Sequence, residues 1–393
     1  MMRPVKSWHA PGDAMKTGIL VILTLVLLLS CGRKTGNDTD AAFRFPEPVP
    51  LDLELVAEIH PREDWPAEVL MQRLLTMGPD SVYVCAGGGQ TAWRLDFKGN
   101  VLGPFGRKGQ GPGEFQRFIS GVFRHGNLWL ASGPAFAEFD DQGKVIRHLQ
   151  LRGFPRYWDV CDAGFVVEEW KLGDEGVAGV SLVVFGPSGA EQQVLVPDGN
   201  TGSVPIQIGK ALQSAAFGRG VFPTMLWALD AGRDAVYVMD SGTYELKAMN
   251  IDGSIRWTFR AADYDEGPSV TGEMADALVE RETSMMRVPD MEAYIRKLKA
   301  AVPDRVCPIH SMTVTPGGLI LVARQRGYED LVYDALRPDG TICGTFTQPV
   351  EMKRELTLTP MGGDLIAEMV HPEGKDTEPF VRIFRVKNPP AGW

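Results

Sequence analysis

The chain has 393 residues, 44% of them hydrophobic and 23% charged, with a formal net charge of -10. These fractions are ordinary for a globular chain and exclude a wholly disordered protein, a fibrous repeat and a multi-span membrane protein. The negative balance argues against nucleic acid as a partner, which needs a basic surface.

Residues 18–29 form a 12-residue apolar run, too short for the roughly 20 residues of a spanning helix. Arg3, Lys6 and Lys16 precede it, which is the order of a secretory signal. Met15 is as natural a start as Met1. Next comes Leu28-Leu29-Ser30-Cys31-Gly32, which resembles a bacterial lipobox: apolar residues, a small residue, then cysteine. The resemblance implies a lipoprotein signal peptide over 1–30 and lipidation of Cys31. With glycine after the cysteine, it also implies sorting to the outer membrane, facing the periplasm. Two or more acyl chains anchor a protein stably. The alternative is a plain signal peptide in which Cys31 is incidental. Residues 31–50 are polar, then proline-rich, and are expected to form a flexible tether. Removing residues 1–30 takes away three basic residues and one acidic residue, leaving a mature balance of -12.

A short apolar triplet after a turn recurs six times: Val82-Tyr83-Val84, Leu128-Trp129-Leu130, Phe165-Val166-Val167, Val236-Tyr237-Val238, Leu319-Ile320-Leu321 and Leu365-Ile366-Ala367. Downstream of most copies lies a polar turn with glycine, as in Asp96–Val101, Asp140–Val145, Asn250–Ile255 and Arg337–Ile342; Gly186-Pro187-Ser188-Gly189 is a weaker copy. Glycine supplies the positive φ that such a turn needs. Each unit therefore reads as four short antiparallel strands. Six such units predict an all-β chain, a six-bladed β-propeller over 51–393. The period-two alternation of Leu51–Val56 is expected to supply the outer strand of the last blade and close the ring.

The second unit is the most distinctive. Phe105-Gly106-Arg107-Lys108-Gly109-Gln110-Gly111-Pro112-Gly113-Glu114-Phe115 leads to Asn127-Leu128-Trp129-Leu130-Ala131 and Phe139-Asp140-Asp141-Gln142-Gly143-Lys144-Val145. This stretch resembles an NHL-type repeat and is similar to one in bacterial six-bladed β-propeller lipoproteins. The match covers about 40 residues.

Successive triplets are 46, 37, 71, 83 and 46 residues apart. The two long intervals place insertions at about 197–224 and 262–308, each between an outer strand and the next inner strand. In a propeller such connections share one face, often the binding face. A helical insertion is expected between blades 4 and 5, at about 268–302. Thr271 is its predicted cap, Met274, Leu278 and Val279 form one apolar side, and Met291, Tyr294, Ile295 and Leu298 form a second.

The glycine-rich loop lacks the G-x-x-x-x-G-K-[ST] order of a phosphate cradle. Arg107, Lys108, Arg117, Arg219 and Arg354 could bring positive charge to one face and favour a small anionic ligand. Trp158 and His310 fall near the starts of inner strands, where they could stack on a ligand or hydrogen-bond it. The alternative for all seven is ordinary solvation or packing. Four cysteines remain beyond Cys31: Cys85, Cys161, Cys307 and Cys343. A Cys307–Cys343 bridge and four free thiols are equally open. No nucleophile elbow or H-E-x-x-H motif is present.

The expectation is a monomeric, membrane-anchored binding or scaffolding protein with no cofactor, whose partner is an unknown protein or a small anionic ligand. The rival is a propeller hydrolase or lyase with a metal such as calcium in the central channel. A carbohydrate binder is a third reading.

Overall fold

The six recurrent triplets all fall on the second of four antiparallel strands in a sheet, the fifth starting one residue before its strand. The computed structural model describes residues 44–393 apart from 70–72, 87–88, 117–118, 154, 174–175, 209–210, 216, 218–219, 285–287, 328–329, 348–358, 361–362, 371–377 and 391–392. The expected signal peptide and Cys31 lie outside the described residues. Among the described residues, no helix is long and apolar enough to cross a membrane.

Six sheets form the six blades. Blade 1 runs from Arg73–Met77 to Val101–Phe105, blade 2 from Ser120–Arg124 to Val145–Gln150, and blade 3 from Pro155–Cys161 to Glu191–Gly199. Blade 4 runs from Met225–Asp230 to Ile255–Arg260 and blade 5 from Ile309–Val314 to Ile342–Thr347. Blade 6 contains Thr359–Pro360, Leu365–Val370 and Phe380–Val386, and its outer strand is Leu53–Ile59, from the other end of the chain. The expected ring closure is therefore present, with Leu53 opposite Val386 and Ile59 opposite Val381.

Side-chain alternation explains why the second strands read as continuous apolar runs. Successive residues of a strand point to opposite faces, and each blade has a neighbour on both sides. Leu128 and Leu130 pack with Tyr83 and Phe105 of blade 1, while Trp129 and Ala131 pack with Trp158 and Phe165 of blade 3. The same division yields one apolar cluster for each of the six blade interfaces.

The repeated turns have a second task. Their carboxylates accept backbone amides of their own turns: Asp96 from Lys98 and Asn100, Asp140 from Gln142 and Lys144, Asp252 from Ser254, and Asp339 from Thr341. Their glycines lie against the outer strand of the preceding blade. A Cβ on Gly143 would stand 3.0 Å from the Pro104 carbonyl oxygen, and one on Gly340 would stand 3.2 Å from the Trp257 ring. The Trp257 indole also donates to the Pro338 carbonyl at 2.8 Å.

A seventh cluster belongs to the insertions. The first contains a hairpin of Val204–Ile208 and Ala211–Ala215; the second contains helices α1 (Gly272–Ser284) and α2 (Met291–Ala301). Thr271 caps α1 through the amide of Met274, and Asp290 caps α2 through that of Ala293. Ile206, Phe217 and Phe222 of the first insertion are buried against Leu278, Tyr294 and Leu298 of the second. The two insertions thus form one platform.

The end of the expected tether is not free of the propeller. Phe45 is buried between Tyr244 and Tyr264, with ring centroids 5.1 and 4.8 Å away. The Arg324 guanidinium lies 5.0 Å from the Phe45 ring centroid. Val49 and Pro50 then pair parallel to the outer strand of blade 5. An aromatic side chain in a proline-rich segment finds more apolar area between two blades than in water, which is why residues 44–50 dock.

Candidate ligand-binding channel

The inner strands of blades 2 to 5 wall a cavity of about 300 Å³ on the channel side. Two ion pairs shape its polar side. Arg124, at the end of the blade 2 inner strand, donates to both oxygens of Asp159 on blade 3, at 2.9 and 2.6 Å. The Asp159 charge pushes the Arg124 guanidinium above its already high ordinary value, despite its desolvation. Arg156 donates to Glu168 at 2.9 Å, and the Trp227 indole donates to the other oxygen of Glu168, also at 2.9 Å. Glu168 is buried, so these charge-assisted bonds offset part of the cost of taking a carboxylate from water.

Aromatic and hydroxyl groups complete the wall. Tyr157 is 43% exposed, and the Arg156 guanidinium lies 5.0 Å from its ring centroid and 4.6 Å from that of Trp170. Thr224, Ser311 and Thr313 supply hydroxyls, and Leu226 and Met312 supply apolar surface. Among the described residues, no group of three or more His, Cys, Asp or Glu side chains is placed to hold a metal ion.

The residues singled out in the sequence do not converge here. Arg107 is bound to Glu114, which also accepts the amides of Gln110 and Gly111 and so closes the glycine-rich loop on itself. Lys108 is exposed on the same loop. Arg117, Arg219 and Arg354 lie outside the described residues. Trp158 borders the cavity, but its ring is buried against Phe136 and its indole donates to Ser120 at 2.8 Å, so packing occupies it. His310 sits beside Gly220, off the cavity wall. A Cys307–Cys343 bridge is not formed, and all four described cysteines are free thiols. Cys307 instead donates to the Val221 carbonyl and Cys343 to that of Ala335.

The residues that do build the site were missed because contacts between strands and between blades, such as Arg156 with Glu168 and Arg124 with Asp159, leave no mark in local spacing. One signal was present: Glu168 directly follows the apolar triplet Phe165-Val166-Val167. A carboxylate in a strand that reads as core demands a buried partner.

No family model matches the sequence, and no curated protein matches it. Its likeness to known proteins is structural. A Bacteroides fragilis protein described as exported superposes with a TM-score of 0.50 at 10% identity, covering 88% of this chain and 99% of its own. The β-propeller domain of Cps50 (Swd1) from Myceliophteria thermophila gives 0.39 at 11% identity, covering 86% and 100%. BamB from Moraxella catarrhalis gives 0.31 at 10% identity, covering 79% and 84%. At such identities the likeness is one of fold.

Proposed function

We propose that this protein is an exported, lipid-anchored propeller that works as a binding and scaffolding module, with the insertion-bearing face as its recognition surface. The observation that carries this reading is the platform. Two insertions from different inter-blade connections share one apolar cluster, an addition that ring closure does not require. Connecting segments held on a rigid scaffold are the usual carriers of recognition. The address rests on the basic residues before the apolar run and on the lipobox-like sequence at Cys31.

The test has two arms. Cys31→Ser should abolish labelling by a palmitate analogue and shift the protein from the membrane to the soluble fraction. A photo-crosslinking residue at Arg296, exposed on α2, should capture a protein partner in intact cells. The same residue at Asp162, in an exposed turn between the first two strands of blade 3, should not. Capture from Asp162 alone, or retained labelling without Cys31, would overturn the reading.

A further inference from the structure

The channel cavity has a composition that the rim platform does not explain. An ion pair is a costly way to build the wall of an inner strand, since apolar residues of similar volume are often equally or more stabilising. Two such pairs are nevertheless kept beside one another, Arg124 with Asp159 and Arg156 with Glu168. Beside them Tyr157 is 43% exposed, on a strand whose next residue, Trp158, is buried.

The chemistry of the wall selects among ligand classes. Each guanidinium in the cavity already faces a carboxylate, so the wall carries no net charge for an anion to neutralise. A free phosphate or carboxylate would have to displace Asp159 or Glu168. An apolar ligand would strip water from the exposed edges of these pairs and from the hydroxyls of Thr224, Ser311 and Thr313 without replacing its hydrogen bonds. A neutral polyol has neither difficulty. Hydroxyls donate to carboxylate oxygens and accept from guanidinium N–H groups, and the fixed, planar fork of a paired Arg and Asp matches two adjacent hydroxyls. The C–H face of a pyranose packs on an aromatic ring, and Tyr157 offers one. The volume of about 300 Å³ lies at the lower end of small-molecule sites, which run from roughly 300 to 1,000 Å³.

We propose that the cavity between the inner strands of blades 2 to 5 binds a small neutral saccharide, one or two sugar units in size. The Arg124–Asp159 pair and the wall hydroxyls of Ser311 and Thr313 hold its hydroxyls, and Tyr157 stacks on its apolar face. No residue of the platform's apolar cluster lines this cavity, so each proposal stands or falls on its own.

The experiment titrates the purified full chain with glucose, galactose, N-acetylglucosamine, maltose and cellobiose, with inorganic phosphate and citrate as anionic probes. Heat and tryptophan fluorescence are the readouts; Trp227 on the wall should report occupancy. The expected result is saturable binding of at least one saccharide, changing less than about two-fold between low and high salt, because no net charge is screened. Tyr157→Ala and the double variant Arg124→Leu/Asp159→Leu should each weaken it by roughly ten-fold or more, with Tyr157→Phe retaining it. Thermal unfolding of each variant confirms that the propeller is intact. No saturation by any saccharide up to about 50 mM, far above a millimolar Kd, would overturn the proposal. So would salt-sensitive binding of phosphate or citrate instead, or saccharide binding unchanged in Tyr157→Ala. Crosslinking at Arg296 should be unaffected by Tyr157→Ala.

Discussion

Individual carboxylates are used in two opposite ways. Glu168 is buried and answers a neighbouring blade through Trp227, whereas the turn aspartates answer groups of their own turns. The Ser254 hydroxyl and amide hold Asp252 below the ordinary carboxylate range, and those of Thr341 do the same for Asp339. A carboxyl with a lower pKa folded than unfolded stabilises the fold above the unfolded value. That contribution is lost as pH falls through the folded value, because the unfolded chain binds the proton first. The double variant Asp252→Asn/Asp339→Asn should therefore lose Tm less steeply than the parent between about pH 5 and pH 3; equal slopes in melts across that range would count against the assignment. The thiols are a contrasting case. Burial pushes Cys85 and Cys307 up to about 11 and Cys161 up to about 12, so they behave as small core residues rather than as reactive groups.

At the scale of the element, the turn between the third and fourth strands is where local and tertiary demands meet. The sequence shows the local one: a positive φ after Asp, which favours glycine. The structure adds a close approach, with the Pro104 carbonyl only 3.0 Å from where a Cβ of Gly143 would sit. Gly126 separates the two effects, since it has a similar φ of 82° but no atom within 4 Å of the same position. Gly143→Ala should cost more than Gly126→Ala by about 1 kcal/mol or more, measured as the difference in urea midpoints. The helices of the second insertion were also legible, because the Thr271 cap and the apolar spacing of both helices are local patterns. Their partner was not. Ile206 and Phe217 lie more than 50 residues from Leu278, and no local pattern announces that contact.

Across the whole molecule, stability rests on closure. Every blade buries both faces against neighbours, so the strand supplied by Leu53–Ile59 completes the last interface as well as the last sheet. Ile59 is buried in the cluster between blades 6 and 1. Ile59→Ala should cost about 2–5 kcal/mol, as much as a comparable substitution in the middle of the chain, and urea unfolding would show it. A change of less than 1 kcal/mol would mean that the ring holds without its closing strand.

The sequence by itself determined the number of blades, the position of their second strands, the closing strand and the insertion sites. These are recorded in periods of two and of about 45 residues, and in turn glycines, all of which are properties of neighbouring positions. Only the tertiary structure decided the composition of the channel wall, the docking of Phe45 and the fusion of the two insertions. It also showed Arg107 paired with Glu114 on an exposed loop, away from the cavity, and Trp158 packed on Phe136 at the cavity's edge. The physical reason is common to the channel wall, the docking and the fusion. A ring brings together side chains from different blades, and the energy of a charge pair or an apolar contact depends on distance in space, which a linear spacing does not encode.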